Sequence, residues 1–270
     1  MKIFLLRILT TTLLLFVPIV YAQSPEGARE KLEQMKVPYD ADTFVKKSER
    51  GDLQAVNLFL QSGMNPNVRD RKGDTALISA AKEGRKEMVN LLLNNGADIE
   101  VKEKKDRMTA LHVAALKGDT EVVKVLLEKG AQINSRDADG RTALILAARN
   151  GHLDLVEYLM DKGAALNEKE FHRGMTPLMA AAMMGRADIV ELLLDRGADI
   201  ESRDLKGGTP LMWAVDYGRS QIVELLLDRG AAVNAKDNNG NTALSMTKRA
   251  KKKDIDKMLL KAGAVSEEKN

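Results

Sequence analysis

The apolar and polar positions of the chain repeat with a long period. A short phrase that begins with Thr and continues with apolar residues and Ala recurs every 33 or 34 residues, as TALISAA, TALHVAA, TALILAA, TPLMAAA, TPLMWAV and TALSMTK. These phrases open at Thr75, Thr109, Thr142, Thr176, Thr209 and Thr242. A leucine-rich phrase such as EMVNLLLNNGADI or DIVELLLDRGADI follows each of the first five. A fixed period of this length indicates a protein built from stacked structural repeats.

Each repeat predicts two short helices. Thr can cap the start of the first helix, and Pro177 and Pro210 stand in its first turn, where a missing N–H is harmless. A Gly ends this helix, and the second helix has apolar residues at helical spacing, as in Ile189, Leu192 and Leu193. Another Gly ends the second helix, and a polar turn such as DADG or DLKG follows it.

With these phrases the chain resembles the ankyrin repeat family, whose repeat has the general form GxTPLHxAAxxGxxxVVxxLLxxGAxxN. One copy here reads GRTALILAARNGHLDLVEYLMDKGAALN, and the resemblance covers residues 41–265. It implies an all-α solenoid of about seven helix-turn-helix repeats with β-turn fingers and polar capping repeats at both ends. Two fingers, EVKEKKDRMT and NEKEFHRGMT, have one extra residue, and Arg107 replaces the usual Gly in the first.

The end copies depart from the pattern as capping repeats would. The first copy has Lys46, Lys47 and Ser48 where later copies have apolar residues and Ala, and the last gains a basic run at Lys248–Lys253. One face of an end repeat is in water, so polar substitution is expected there. We interpret both sets of changes as solvated end caps.

Short segments flank the repeats. Residues 23–40 are interpreted as a linker with one short helix from Pro25 to Lys36, which Pro38 would stop. This helix would cover the first repeat or serve as a spacer. Residues 266–270 form a polar tail.

The first 22 residues predict a secretory signal peptide. Lys2 and Arg7 precede an apolar stretch, and Val20-Tyr21-Ala22 resembles a cleavage site. The rival interpretation is an uncleaved anchor, but the apolar run of about 13 residues is shorter than the roughly 20 needed to span a bilayer. We therefore expect a periplasmic or secreted protein with no stable membrane insertion after cleavage.

Composition argues against several functional classes. The formal net charge is +3, and removing Lys2 and Arg7 would leave the chain nearly neutral, so nucleic-acid binding is not expected. The absence of Cys excludes thiolate catalysis and Cys-ligated zinc. No GxSxG, HExxH, P-loop or GxGxxG motif is present, so we expect no enzyme and no cofactor.

Three histidines lie in different repeats and lack the spacing of metal ligands, so no metal site is expected. The resemblance implies that His112, in TALH, ties the helix start to neighbouring backbone. His152 begins a second helix, where we expect it to be exposed and structural. His172 lies in an inserted finger and is the one placed to contact a partner.

Partners of ankyrin repeats usually dock on the concave side, on the finger tips and the ends of the first helices. In the fifth and sixth repeats these positions turn apolar or aromatic, which is typical of a binding surface. Transferring the family's docking positions to this sequence predicts a protein-binding site that consists of Phe171, His172, Arg173, Met175, Met179, Met183, Met184, Leu205, Met212 and Tyr217.

Methionine suits a partner of irregular shape, because its unbranched side chain can repack. Met183 and Met184 are expected to face outward. Met179 and Met212 have the alternative role of filling gaps between helices, and Trp213 is expected in the core.

The sequence thus predicts an exported, monomeric, non-catalytic scaffold that binds a partner protein through the concave face of repeats five and six. One alternative is a secreted effector that engages a host protein. Another is a redox or metal-responsive protein, because clustered Met can be oxidised or can bind Cu(I). An enzyme with an unrecognised site is the remaining alternative.

Overall fold

A computed structural model describes residues 24–250 and 253–266, without the side chains of 248–250. The predicted signal peptide, residues 1–22, lies outside the described residues, as do the side chains of most of the basic run Lys248–Lys253 and all of the polar tail except Ser266. The described part contains fifteen helices. It has no β-strand, and one isolated bridge joins Arg69 and Thr75.

The helices are numbered here in chain order. They are α1 Pro25–Gln34, α2 Ala41–Arg50, α3 Leu53–Gln61, α4 Ala76–Lys82, α5 Lys86–Asn94, α6 Ala110–Lys117, α7 Thr120–Glu128, α8 Ala143–Asn150, α9 Leu153–Asp161, α10 Pro177–Met184, α11 Ala187–Asp195, α12 Pro210–Asp216, α13 Ser220–Asp228, α14 Ala243–Ala250 and α15 Lys253–Lys261. After α1 they form seven consecutive pairs, which confirms the predicted number of repeats.

The threonine caps and the glycine end of α10 form as predicted. The Thr176 hydroxyl accepts from the backbone N–H of Met179, and Thr209 does the same for Met212, so each satisfies a donor that the helix leaves unpaired. α10 ends at Gly185, whose φ of 79° is the left-handed conformation that glycine adopts without strain.

The described chain divides into two compact units, one ending at Lys104 and the other beginning at Lys105. In the first unit, α2 packs on α4 and α3 packs on α5, while α1 packs on α3. Ala28 and Leu32 of α1 are fully buried, so this helix covers the first repeat rather than serving as a spacer. It ends at Gln34, two residues earlier than predicted.

The first repeat is less polar on its packed side than the sequence suggested. Lys46 is exposed as expected, but Ser48 is fully buried and donates a hydrogen bond to the Phe44 carbonyl 3.0 Å away. The expectation that Ser48 belongs to a solvated face is therefore wrong. Its hydroxyl can be buried because the helix backbone satisfies it.

In the second unit the first helices α6, α8, α10, α12 and α14 stack in order, and the second helices stack beside them. In α11 the buried face consists of Ile189, Val190 and Leu193. Leu192 is only half-buried, so the buried face includes Val190 in place of the predicted Leu192.

The fingers of the second unit are joined to one another by backbone hydrogen bonds. Each tip donates its N–H to a carbonyl of the preceding finger at 2.7–2.9 Å: Ala138 to Asp106, Phe171 to Asp139, Leu205 to Arg173 and Asn238 to Lys206. These hydrogen bonds fix the position of each finger tip relative to the next.

One finger adopts a strained conformation. Arg107 has a φ of 52°, whereas Gly140, Gly174 and Gly207, at the corresponding positions of later fingers, have φ values of 78°, 73° and 77°. A non-glycine residue in this region brings its Cβ too close to the following carbonyl oxygen.

We expect Arg107→Gly to raise the free energy of unfolding by about 1 kcal/mol. Relief of the left-handed strain, worth roughly 1–2 kcal/mol, outweighs the extra freedom of glycine in the unfolded chain. Urea denaturation followed by circular dichroism measures the change. Lys105→Gly, at a neighbouring exposed position without a positive φ, should be neutral or destabilising, and an equal gain in both variants would contradict the strain argument.

Candidate protein-binding site

The ten predicted site residues comprise five exposed, one half-buried and four buried side chains. Phe171, Leu205 and Tyr217 are 58%, 63% and 42% exposed, and His172 and Arg173 are exposed as well. Met184 is half-buried. The remaining four are buried, with 0–6% exposure: Met175, Met179, Met183 and Met212.

The expected exposed strip of methionines does not form. Met175, Met179 and Met183 make one core cluster, with Met184 and Trp213 packed against it. The expectation that Met183 faces outward is wrong, because α10 packs on α8 on one side and on α12 on the other. The alternative role of Met179 and Met212, as fillers between helices, is confirmed.

Trp213 is half-buried: it packs against the methionine cluster but is not enclosed in the core, where the sequence placed it. Its Nε1–H donates to Asp204 Oδ2 at 2.9 Å. The Arg173 guanidinium carbon lies 5.7 Å from the indole centroid, and the Tyr217 ring lies 5.9 Å away. We call Arg173, Met184, Leu205, Trp213 and Tyr217 the aromatic patch.

Trp213 could have been recognised by its size. At the same position other repeats have Ser79, Val113, Leu146 and Ala180, which fit between stacked helices. An indole is too large for a space that accepts these side chains, so part of it must emerge.

An acidic side chain holds each finger of the site in shape. Asp204 Oδ1 accepts from the N–H groups of Lys206 and Gly208 at 2.7 and 2.8 Å. In the longer finger, Glu170 accepts from the N–H groups of His172, Arg173 and Met175 at 2.8, 2.6 and 3.3 Å. Four fingers carry Asp at this position, and Glu compensates for the extra residue.

This substitution was readable in the sequence but was missed. The other finger with an extra residue also has a Glu, Glu103, where the shorter fingers have Asp. The paired change of finger length and acid length could have marked Glu170 as the residue that shapes its finger.

The exposed tip side chains sit on glycines of the preceding finger. A Cβ atom added to Gly140 would lie 2.6 Å from the Phe171 ring, and the Arg136 guanidinium carbon is 5.3 Å from the ring centroid. A Cβ atom on Gly174 would lie 2.9 Å from the Leu205 backbone nitrogen. These close approaches hold Phe171 and Leu205 in place while leaving much of each side chain exposed.

His172 links two fingers. Its Nε2 lies 2.9 Å from Asp139 Oδ1, and its side chain is 69% exposed. The hydrogen bond from His172 lowers the pKa of Asp139, and the nearby charges of Arg141 and Arg149 lower it further. His172 therefore has an internal partner as well as an exposed surface.

The other two histidines bridge neighbouring segments of the chain. His112 is fully buried; its Nδ1 accepts from the Thr109 N–H at 3.3 Å, and Nε2 lies 3.0 Å from the Ser135 carbonyl and 3.1 Å from that of Arg141. This confirms the role that the resemblance implied. His152 is half-buried rather than exposed, with Nε2 3.1 Å from the Leu116 carbonyl.

The described residues include no group of three or more His, Asp or Glu side chains arranged to hold a metal ion. Nor does any described helix combine the length and apolar character required to cross a bilayer.

The stacked helix pairs, the linked fingers and the buried bridging histidine define a helical repeat protein. The family model for ankyrin repeats in three copies matches residues 45–137 and 134–204, and the model for ankyrin repeats in many copies matches 195–246. The chain belongs to the ankyrin repeat family. Members of this family are generally non-catalytic scaffolds for protein–protein interaction.

Parts of this chain are similar in sequence to known proteins. It is 34% identical over 83 residues to the mouse 2-5A-dependent ribonuclease and 36% identical over 73 residues to a putative ankyrin repeat-containing protein of Treponema pallidum. These matches cover 30% and 27% of this chain but only 11% and 24% of the relatives.

A solved structure matches a larger part. The ankyrin repeat domain of Bcl-3, described as a unique member of the IkappaB protein family, superimposes with a TM-score of 0.70 at 26% identity. The match covers 80% of this chain and 97% of that domain, which confirms the all-α ankyrin solenoid as the fold.

Met183→Lys should lower the free energy of unfolding by more than about 2 kcal/mol, because it places an ammonium group in the methionine cluster. Met184→Lys, one residue further on, should cost less than about 1 kcal/mol, because its side chain can reach solvent. Thermal unfolding followed by circular dichroism compares the two variants. Equal melting temperatures would show that Met183 is not core.

We expect His112→Ala to destabilise the fold by about 3 kcal/mol, since it leaves buried backbone groups unpaired and opens a cavity. His172→Ala removes an exposed link and should change stability by less than about 1 kcal/mol. Urea titration of both variants measures the difference. A similar small effect in both would mean that the His112 bridge contributes little to stability.

Proposed function

We propose that this protein is a non-catalytic scaffold that binds a partner protein through the aromatic patch and the adjoining Phe171 finger. The single observation that carries this proposal is the exposure of Phe171 and Leu205 on two hydrogen-bonded fingers, with Arg173 of the first finger over the Trp213 ring and Tyr217 next to that ring. Apolar side chains gathered on an otherwise polar surface mark interaction sites. Trp, Tyr and Arg are also the residues that most often dominate the energy of an interface.

The surface is arranged before any partner arrives. Glycine contacts and hydrogen bonds between fingers position Phe171 and Leu205, and Asp204 positions Trp213. Preorganisation reduces the entropy lost when a complex forms. The patch residues thus need little rearrangement on binding.

The partner must contact this surface through side chains. The backbone N–H groups of Phe171, His172, Leu205 and Lys206 already donate within or between the fingers. A partner strand therefore cannot pair with them in the way that strands are added to an open sheet edge.

We further propose that the chain is exported through its N-terminal segment and acts in the periplasm or outside the cell. The feature that supports export is the basic start and the apolar run before Ala22. A secreted effector with a host partner is the alternative, and it uses the same surface. Finding the chain in the envelope fraction or in the medium distinguishes the two.

The redox alternative has less support. Oxidation by a soluble reagent or capture of Cu(I) requires accessible thioethers. Met175, Met179 and Met183 are at most 6% exposed, which leaves Met184 as the accessible member of this cluster.

Site-specific crosslinking in the native cell tests the surface. A photoreactive phenylalanine analogue at Tyr217 should crosslink to a distinct partner protein. The same analogue at Leu153, which is 37% exposed on α9, serves as the matched control and should not. The companion substitution Trp213→Ala should reduce the yield at a Leu205 crosslinking site about tenfold, as expected when an anchor worth more than 1 kcal/mol is lost.

The proposal fails if the Leu153 site gives the same product as the Tyr217 site, or if Trp213→Ala leaves the yield unchanged. Circular dichroism of each variant shows whether the repeats remain folded.

A further inference from the structure

We infer that the partner segment is acidic as well as apolar: it places an aromatic or aliphatic side chain against Trp213 and Tyr217, and a carboxylate against Arg173 and Lys206. This inference rests on the proposed function, because it assigns a chemistry to the partner of the aromatic patch. The inference follows from a comparison of the charged groups at the patch that have internal partners with those that remain exposed and outside any ion pair.

The acidic groups of the two fingers are occupied: Glu168 pairs with Arg136, Glu201 accepts from the Ala232 N–H, and Asp204 and Glu170 hold the finger turns. The Asp204 carboxylate accepts two backbone N–H groups and the indole N–H, and the Glu170 carboxylate accepts three backbone N–H groups. A carboxylate with three donors has little remaining capacity to bind an external cation. These acids shape the fingers rather than the outer surface.

The basic groups at the patch are available. In the part of the chain that the structure describes, no ion pair engages Arg173 or Lys206, and both are exposed. The preceding finger differs, because Arg141 lies 2.7 Å from Asp137 and 3.0 Å from Asp139, and Arg136 pairs with Glu168. The uncommitted charge at the patch is therefore positive.

The position of Arg173 adds a geometric argument. Its guanidinium lies over the Trp213 ring, which can hold the group in place while its N–H donors remain exposed. A planar guanidinium presented in this way can bind a carboxylate through two parallel hydrogen bonds. Lys206 follows Leu205 at the next tip and extends the positive region along the fingers.

The charges of the patch are distributed asymmetrically. Asp216, at the end of α12 beside Tyr217, is exposed and interacts within the chain, so an acid lies on the helix side of the patch. The cations lie on the finger side. A bound segment should place its carboxylates toward the fingers and its apolar side chain toward Tyr217.

Three labelled probes test this chemistry by fluorescence anisotropy with the purified, signal-cleaved chain. Two are peptides of about twelve residues with the same Phe and Leu positions, one with Glu and one with Lys between them. The third is an oligothymidylate of about twelve nucleotides, since a basic aromatic surface can also stack bases. The Glu peptide should bind at least about tenfold more tightly than the other two, and its affinity should fall as salt is raised.

Charge reversal identifies the groups responsible. Arg173→Glu and Lys206→Glu should each weaken the Glu peptide about tenfold and improve binding of the Lys peptide. Lys162→Glu, the same change at an exposed position at the end of α9, should leave both affinities unchanged.

Equal or tighter binding of the Lys peptide or the oligonucleotide would overturn the inference, and so would a Glu-peptide affinity that is insensitive to Arg173→Glu. Tyr217→Ala separates this result from the proposed function. If it weakens whichever peptide binds, the patch is a protein-binding surface whose charge preference was assigned wrongly. If no peptide binds, the inference fails, and the Tyr217 crosslink alone decides the proposed function.

Discussion

The structure depends on a packing constraint: a pair of short helices can bury its apolar face only against the pairs before and after it. α10 shows this clearly, because it lies between α8 and α12 and seven of its eight residues are buried. The alanines in the first helices allow this close approach. The exposure of any side chain is therefore set by two neighbouring repeats as much as by its own.

This constraint explains how much the sequence could predict. The threonine caps, the terminal glycines and the helix pairs depend on local chemistry that recurs in every copy, so the period revealed them. His112 was also predictable, because its bridge uses backbone groups present in the family pattern. Met183 was not. Its counterparts Leu116 and Arg149 are partly exposed, and Arg149 has a charge that favours solvent, whereas an unbranched thioether can fold back onto Met179.

Trp213 and the longer finger show a second limit of prediction from the repeat pattern. The residues that determine their conformations lie at other positions in the sequence. The indole emerges from the core because the space between the helices is small, and Asp204, nine residues earlier, fixes its edge. Glu170 takes the place of Asp because its finger is longer by one residue. A repeat pattern assigns equivalent positions, but it does not show how a change at one position is compensated at another.

The same hydrogen bonds that stabilise the fingers determine the charge of the candidate site. The formal net charge of +3 over 270 residues gives little reason to expect a charged surface. However, Asp204 and Glu170 direct their carboxylates toward backbone N–H groups, while Arg173 and Lys206 extend outward from the same two fingers. Since these acids are used for structure and the bases remain on the tips, the two fingers present basic groups although the formal net charge of the whole chain is only +3. Finger geometry and partner charge are thus two consequences of one set of hydrogen bonds.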